Sequence, residues 1–473
     1  MRKTKIICTI GPACRNEETL TAMIRAGMNV ARLNFSHGTH AEHLETIDML
    51  KRVREKLNVP LAIMLDTKGP EYRIRSFENG SVFLNDGDDF TFTTDQIVGN
   101  EHKVSVSYPG LADELSVGDT ILLNNALLNF EVVSIDGHDI NCRVVSGGEL
   151  SNNKSMSFPG KTLKQKYVSE QDRSDILFGI ENDVDFIACS FVSCKQDLLD
   201  IKAVMGDSVN RIDLIAKIEN RTGIDNIDDI CTECDGIMIA RGDMGVEIPF
   251  IKLPEIQKTI IRKVVSRGKY VITATQMLES MTTAPRPTRA EISDVANAVY
   301  DGTSAVMLSA ESAAGKYPIE SVKALDAICS EAEENGEFTA LHEYVEEHGM
   351  KDTNPIRSSI CKAAKNIAQA VGAKAIIVES ATGRVARAMV HYRPDCPVIA
   401  VATSQLVCRK LCLNWGVMAV MGEEKRTSDS ITKQAMEKAL STGVVKKGDT
   451  VVVLSSNKTC PTSSTDSLNV RIL

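Results

Sequence analysis

Apolar residues fall in short runs separated by amphipathic stretches, and the alternation predicts elements along most of the chain. The runs at residues 5–10, 29–33, 61–65, 185–188, 214–216, 236–240, 270–273 and 305–308 are too short for helices and end in polar residues, as buried strands do. Helical periodicity predicts helices between them over 17–26, 41–57, 195–205, 253–267, 290–300 and 319–332. Eight strand–helix units in series point to an α/β chain folded as a closed (β/α)8 TIM barrel rather than an open sheet. The third unit is interrupted. From about residue 70 to 168 the pattern changes to short alternating strands (81–84, 89–93, 120–123, 130–135, 140–145) with turn signals at Asn79-Gly80 and Asp136-Gly137. This predicts a small all-β insertion, tethered where it can close over the barrel mouth as a lid. Beyond a charged stretch at 333–352, runs at 375–378, 397–401, 417–420 and 450–454, with an edge strand at 468–472, predict a separate C-terminal α/β domain. The expected domains are therefore 1–69 with 169–345 (barrel), 70–168 (lid) and 346–473 (C-terminal).

Composition narrows the function. Lys and Arg number 54 against 63 Asp and Glu, a formal charge of −9, which argues against nucleic acid or an anionic membrane surface as partner. The start, MRKTKIICTIGP, has too short an apolar run for a signal peptide, and no stretch approaches the roughly 20 apolar residues that span a bilayer. A cytoplasmic protein is expected. The 13 cysteines show no framework, and Cys231-Thr-Glu-Cys234 lacks a second pair at zinc-ligand spacing. His37, His40 and His43 recur at three-residue steps near a helix start, where a solvated helix face is expected.

Chemistry gathers at the carboxyl ends of the strands, where barrel active sites are built. The fifth run ends in Lys217-Ile-Glu219 and the sixth in Arg241-Gly-Asp243. Side chains alternate along a strand, so Lys217 and Glu219 should share a face, and a helical stretch through Ile224, Ile227 and Ile230 makes the two strands parallel neighbours. Two carboxylates and a lysine at one rim suggest a Mg²⁺ site facing an anionic substrate. Arg32 and Asn34-Phe-Ser36, Asp66-Thr67, Ser190, Thr275-Gln276 and Ser309-Ala-Glu311 follow the other strands. In the C-terminal domain, Ser380-Ala-Thr-Gly-Arg384 between a strand and a helix is a plausible phosphate loop. Gly160-Lys-Thr162 lacks the upstream glycine of a true phosphate loop, and no GxGxxG follows a strand.

Over essentially its whole length the chain resembles the pyruvate kinase family. The matching segments are Thr9-Ile-Gly-Pro12, Arg32-Leu-Asn-Phe-Ser-His-Gly38, Asp66-Thr-Lys-Gly-Pro-Glu71 with Arg73, Ala216-Lys-Ile-Glu-Asn220, Ala240-Arg-Gly-Asp243, Thr273-Ala-Thr-Gln-Met-Leu278, Pro285-Arg-Pro-Thr-Arg-Ala-Glu291 and Asp301-Gly-Thr303. The resemblance implies transfer of a phosphoryl group from phosphoenolpyruvate to ADP, giving ATP and pyruvate, by a homotetramer with a regulatory C-terminal domain. It implies Mg²⁺ (or Mn²⁺) on Glu219 and Asp243, and K⁺ on Asn34, Ser36, Asp66 and Thr67. Arg32, Lys217 and Arg73 would meet the phosphoryl group, Gly242 with Asp243 the substrate carboxylate, and Thr275 with Ser309 and Glu311 would deliver a proton to enolpyruvate. Ser380, Thr382, Gly383 and Arg384 would form the loop for a sugar-phosphate or nucleotide effector.

The chain also departs from the family pattern. Asn124-Asn-Ala126 stands where the lid usually carries Asp-Asp-Gly, Lys154-Ser-Met-Ser-Phe-Pro-Gly160 replaces a Lys-Gly-Val-Asn-Leu-Pro-Gly segment, and the returning hinge Gln165-Lys-Tyr-Val-Ser-Glu170 is atypical. Ala310, Ser193 and Val385 replace a usual glycine, arginine and hydroxyl residue. These changes imply altered nucleotide affinity. Two other readings share parts of the residue set: a weakened paralogue kept as a metabolite-binding regulatory protein, and a metal-dependent barrel lyase or aldolase acting on pyruvate.

Overall fold

The computed structural model describes all residues except 125, 162, 337, 349–353, 425–427, 456–464 and 466; of residues 339, 340, 428 and 429 it describes only the backbone. Asn125 of the altered lid segment and Thr162 of the false phosphate loop therefore lie outside the described residues.

Eight parallel strands close into a barrel in chain order: β1 (Lys5–Thr9), β2 (Val30–Asn34), β3 (Ala62–Asp66), β4 (Phe186–Cys189), β5 (Asp213–Ile218), β6 (Gly236–Ala240), β7 (Tyr270–Ala274) and β8 (Ala305–Leu308). Alternation along each strand sorts the side chains into two cores. Ile7, Val30, Met64, Phe186, Ile215, Met238, Ile272 and Met307 fill the interior, while their neighbours Ile6, Leu33, Ile63, Ile187, Leu214 and Ile239 pack outward against the helices. The same alternation carries Arg32, Asp66 and Lys217, one step beyond that interior layer, and Ser190, two steps beyond Phe186, to the carboxyl mouth.

The helix expected through Ile224 to Ile230 is two short ones, Arg221–Asp225 and Ile227–Glu233, which bend at Asn226, whose side chain donates to the Ser193 carbonyl at 2.9 Å. Helix Glu170–Glu181 follows the lid without having been expected; its pattern is mixed, and Asp172 and Asp175 are buried on it as hydrogen-bond acceptors. The histidine expectation is corrected as well. His43 is buried and stacked on Phe35 with ring centroids 3.9 Å apart, and His40 bonds the buried Asp175 at 2.6 Å. Helix His40–Leu57 turns that side toward the aromatic ring of Phe35 instead of water.

The insertion is a seven-stranded sheet plus a separate two-stranded one, with Phe90, Phe92 and Phe130 packed edge-on or tilted in its core. The C-terminal domain is a five-stranded sheet of β9 (Ala375–Glu379), β10 (Val398–Ala402), β11 (Val417–Met421), β12 (Thr450–Ser455) and β13 (Ser467–Ile472), ordered β11-β10-β9-β12-β13 with β13 antiparallel at one edge. It docks on the amino-terminal face of the barrel through ion pairs. Arg409 meets Asp185 at 2.7 Å, and Arg387 and Lys410 meet Asp213 at 2.5 and 2.6 Å. No helix among the described residues is long and apolar enough to cross a membrane.

Candidate active site

Register between strands brings the rim residues together. β2 pairs with β3 so that Arg32 lies beside Met64 and Asn34 beside Asp66, and β5 pairs with β6 so that the segment beyond Ile218 runs alongside Ala240. Asp66, fully buried, is the hub. One of its oxygens accepts from Arg32 Nε at 2.6 Å and the other from Lys217 Nζ at 2.9 Å. Burial alone would raise its pKa, but the two cations outweigh that and hold the carboxyl below its ordinary value. Lys217 also donates to Ser190 Oγ at 2.6 Å and lies 3.2 Å from Glu219 Oε1. Burial opposes its charge, yet Asp66 and Glu219 raise its pKa above the ordinary lysine value, so it is a fixed cation. Arg32 additionally donates to Thr9 Oγ1 at 2.9 Å.

Glu219 is held by the Phe191 backbone N–H at 2.6 Å, from a residue with φ of 56° at the turn after β4. Its pKa is pushed up to about 7 by burial and by the negative charge of Asp243, with Lys217 pulling it back. The negative charge of Asp243 beside the buried Glu219 is one that a divalent cation would relieve, and Asp243 is exposed with no ion-pair partner among the described residues. Glu219 and Asp243 thus fit a Mg²⁺ or Mn²⁺ ion. Asn34, Ser36, Asp66 and Thr67 offer only oxygens, which fits K⁺ in kind; Asn34 Oδ1 already accepts the Ser36 N–H at 3.2 Å.

The β7 turn is strained. Thr275 and Gln276 have φ of 71° and 53°, a region that a β-branched residue such as Thr275 rarely adopts. Buried Arg241 compensates by donating to the Thr275 carbonyl at 2.7 Å while Asp294 anchors it at 2.8 Å, and Thr275 Oγ1 accepts the Gly242 N–H at 2.7 Å. Glu311, fully buried, accepts the Leu278 and Ser309 N–H groups at 3.0 and 2.7 Å, tying the β7 and β8 turns together.

Residues 1–322 match the family described as "Pyruvate kinase, barrel domain", and residues 358–471 match "Pyruvate kinase, alpha/beta domain". The chain is 44% identical over 476 residues to the pyruvate kinase of Clostridium acetobutylicum, covering all of both proteins. It is 45% identical over 457 residues to that of Bacillus licheniformis, covering 96% of this chain and 77% of the relative. A solved pyruvate kinase from Cryptosporidium parvum superposes with a TM-score of 0.94 at 36% identity, covering 100% of this chain and 96% of the other. The chain belongs to the pyruvate kinase family. It is accordingly an enzyme of the kinase class on a TIM barrel, and its family is one of metal-dependent kinases. The paralogue and lyase readings draw no support from these relatives.

Set against the other pyruvate kinase expectations, Arg73 stands apart from the hub. It pairs with Glu71 at 2.5 Å and donates to the Asn153 carbonyl at 2.6 Å, within the lid. Lys161 pairs with Asp119 at 2.8 Å. Ser380, Thr382, Gly383 and Arg384 lie far along the chain at the end of β9, where Ser380 is buried with its hydroxyl unpartnered among the described residues and Gly383 (φ 80°) leads into helix Arg384–His391. A cleft of about 280 Å³ separates lid from barrel, lined by Tyr72, Phe158, Tyr167, Phe191, Asp243 and Glu247 among others. Sequence reasoning did not assign roles to Ser190, Phe191, Arg241 or Tyr167. Ser190 was expected at the rim after the fourth strand, though without a role, whereas the Phe191 contribution is a backbone N–H and leaves no residue signal.

Proposed function

We propose that this chain transfers the phosphoryl group of phosphoenolpyruvate to ADP at the mouth of the barrel, through the group centred on Lys217. The observation that carries the reading is the convergence of Arg32 and Lys217 on Asp66, with Glu219 on the far side of Lys217. Lys217 and Arg32 bind and orient the phosphoryl group, and their fixed positive charge stabilises it as it passes between oxygens. Arg73 joins them from the lid when it closes. The Asp243 N–H receives the substrate carboxylate at the start of helix Arg241–Glu247, and the Gly242 N–H would join it by exchanging its Thr275 Oγ1 partner for the carboxylate. Thr275, with Ser309, passes the proton that converts enolpyruvate to pyruvate, and Glu311 holds the β7 and β8 turns that carry them. Bound by Glu219 and Asp243, a Mg²⁺ or Mn²⁺ ion would supply charge neutralisation at the phosphoryl oxygens; K⁺ on Asn34, Ser36, Asp66 and Thr67 would add a further positive charge.

The enzyme works as a cytoplasmic homotetramer in this reading, and Ser380, Thr382, Gly383 and Arg384 take the phosphate of a sugar-phosphate or nucleotide effector. Pyruvate release from phosphoenolpyruvate, assayed with and without ADP, Mg²⁺ and K⁺, tests the proposal. Turnover that requires ADP and the divalent ion is expected. Silence would favour a regulatory paralogue, and ADP-independent turnover a lyase.

A further inference from the structure

The two connections between barrel and lid close on one backbone carbonyl, that of Ser190. On the outgoing side Gly69, with φ of 68°, passes so near that a Cβ there would lie 2.7 Å from the Ser190 oxygen. On the returning side the Tyr167 hydroxyl donates to the same oxygen at 2.7 Å. Asp172, almost fully buried, ties the connections to each other, accepting the Gly69 N–H at 2.9 Å and the Ser169 hydroxyl at 2.6 Å. The Ser190 side chain points the other way, into the site. Its hydroxyl accepts from Lys217 at 2.6 Å and donates to the Thr67 carbonyl at 2.6 Å. One residue therefore has its main chain gripped by the lid hinge and its side chain gripping the lysine. Tyr167 is buried, and that burial, with the nearby Cys189, Asp197, Asp172 and Glu219, raises its phenol well above the ordinary value, so it stays a donor.

We propose that Tyr167 is a positioning residue for phosphoryl transfer, its hydroxyl locking the returning lid connection to the loop that orients Lys217, so that lid seating and lysine placement are a single event. The inference rests on the assignment of Lys217 to the reaction.

Tyr167→Phe keeps the ring and removes only the donor. Steady-state kinetics with phosphoenolpyruvate, ADP and Mg²⁺, well below the melting temperature, should show kcat lowered about tenfold with KM for phosphoenolpyruvate little changed, as for an interaction that matters in the transition state. A kcat within about twofold of the parent, even with a lower Tm, would mean that the hydroxyl only supports the fold, and would overturn the proposal. Hydrogen exchange on the unaltered chain gives a second reading that does not depend on the variant folding. Amides of 163–169 and 189–192 should slow together when phosphoenolpyruvate and Mg²⁺ are added; protection confined to 189–192 would also overturn it. Turnover of Lys217→Met beside that of Tyr167→Phe separates the two hypotheses. If Lys217→Met retains activity, the site assignment fails; if it loses activity while Tyr167→Phe does not, the hinge inference fails alone.

Discussion

Lys217 and Asp66 stand 151 residues apart in the chain and meet at 2.9 Å in the barrel mouth, with Asp66 also bound to Arg32. A buried carboxylate shared by two cations keeps both charged and both aimed. Lys217→Met should therefore fold with parental secondary structure, since methionine fills similar volume, yet lose about 10²–10⁴ in turnover. Circular dichroism beside an ADP-dependent pyruvate assay checks it, and near-parental turnover would remove Lys217 from the reaction.

Gly242 separates a steric role from a chemical one. A Cβ there would meet Thr275 Oγ1 at 3.5 Å, ordinary contact distance, so the fold has room for a methyl group. Gly242→Ala should keep its Tm to within a few degrees, about the shift of 1 kcal/mol or less. It should nevertheless raise KM for phosphoenolpyruvate, because the methyl would stand where the substrate carboxylate approaches the backbone. Calorimetry together with substrate titration decides between them.

Arg409 tests the seam under the barrel. It pairs at 2.7 Å with Asp185, which is wholly buried and, among the described residues, otherwise has only Arg54 at 3.8 Å as cationic partner. Arg409→Met leaves that carboxylate poorly compensated and should cost about 3–5 kcal/mol, seen as a lower midpoint in urea. Turnover at 25 °C, carried at the opposite end of the barrel, should change far less than stability; equal loss of both would contradict a purely structural seam.

Glu247 predicts a pH dependence. It lines the lid cleft, where burial, with a contribution from Asp243, raises its pKa to about 7 despite the Phe158 backbone N–H. Between the unfolded carboxyl value and about 7 the folded chain holds the proton that the unfolded chain has lost, so this group's contribution falls as pH rises through that window. Glu247→Gln cannot ionise and removes the effect. The Tm of the variant minus that of the parent should be larger at pH 8 than at pH 5, and a difference independent of pH would show that Glu247 titrates normally.

The sequence by itself determined the barrel, the inserted lid and the C-terminal sheet, because each rests on a local period: two along strands, 3.6 along helices, and turn residues at the joins. That same period put Lys217 and Glu219 on one face, and strand order made Asp243 their neighbour. Tertiary structure alone decided what those groups touch. The hub at Asp66, the Phe191 N–H on Glu219, the Arg241 clamp on the strained Thr275 turn and the burial of His43 join residues from different strands or helices. Such contacts depend on the register and closure of the whole sheet, and a register shift of one residue, invisible to any local pattern, would turn Arg32, Asp66 or Lys217 away from the mouth.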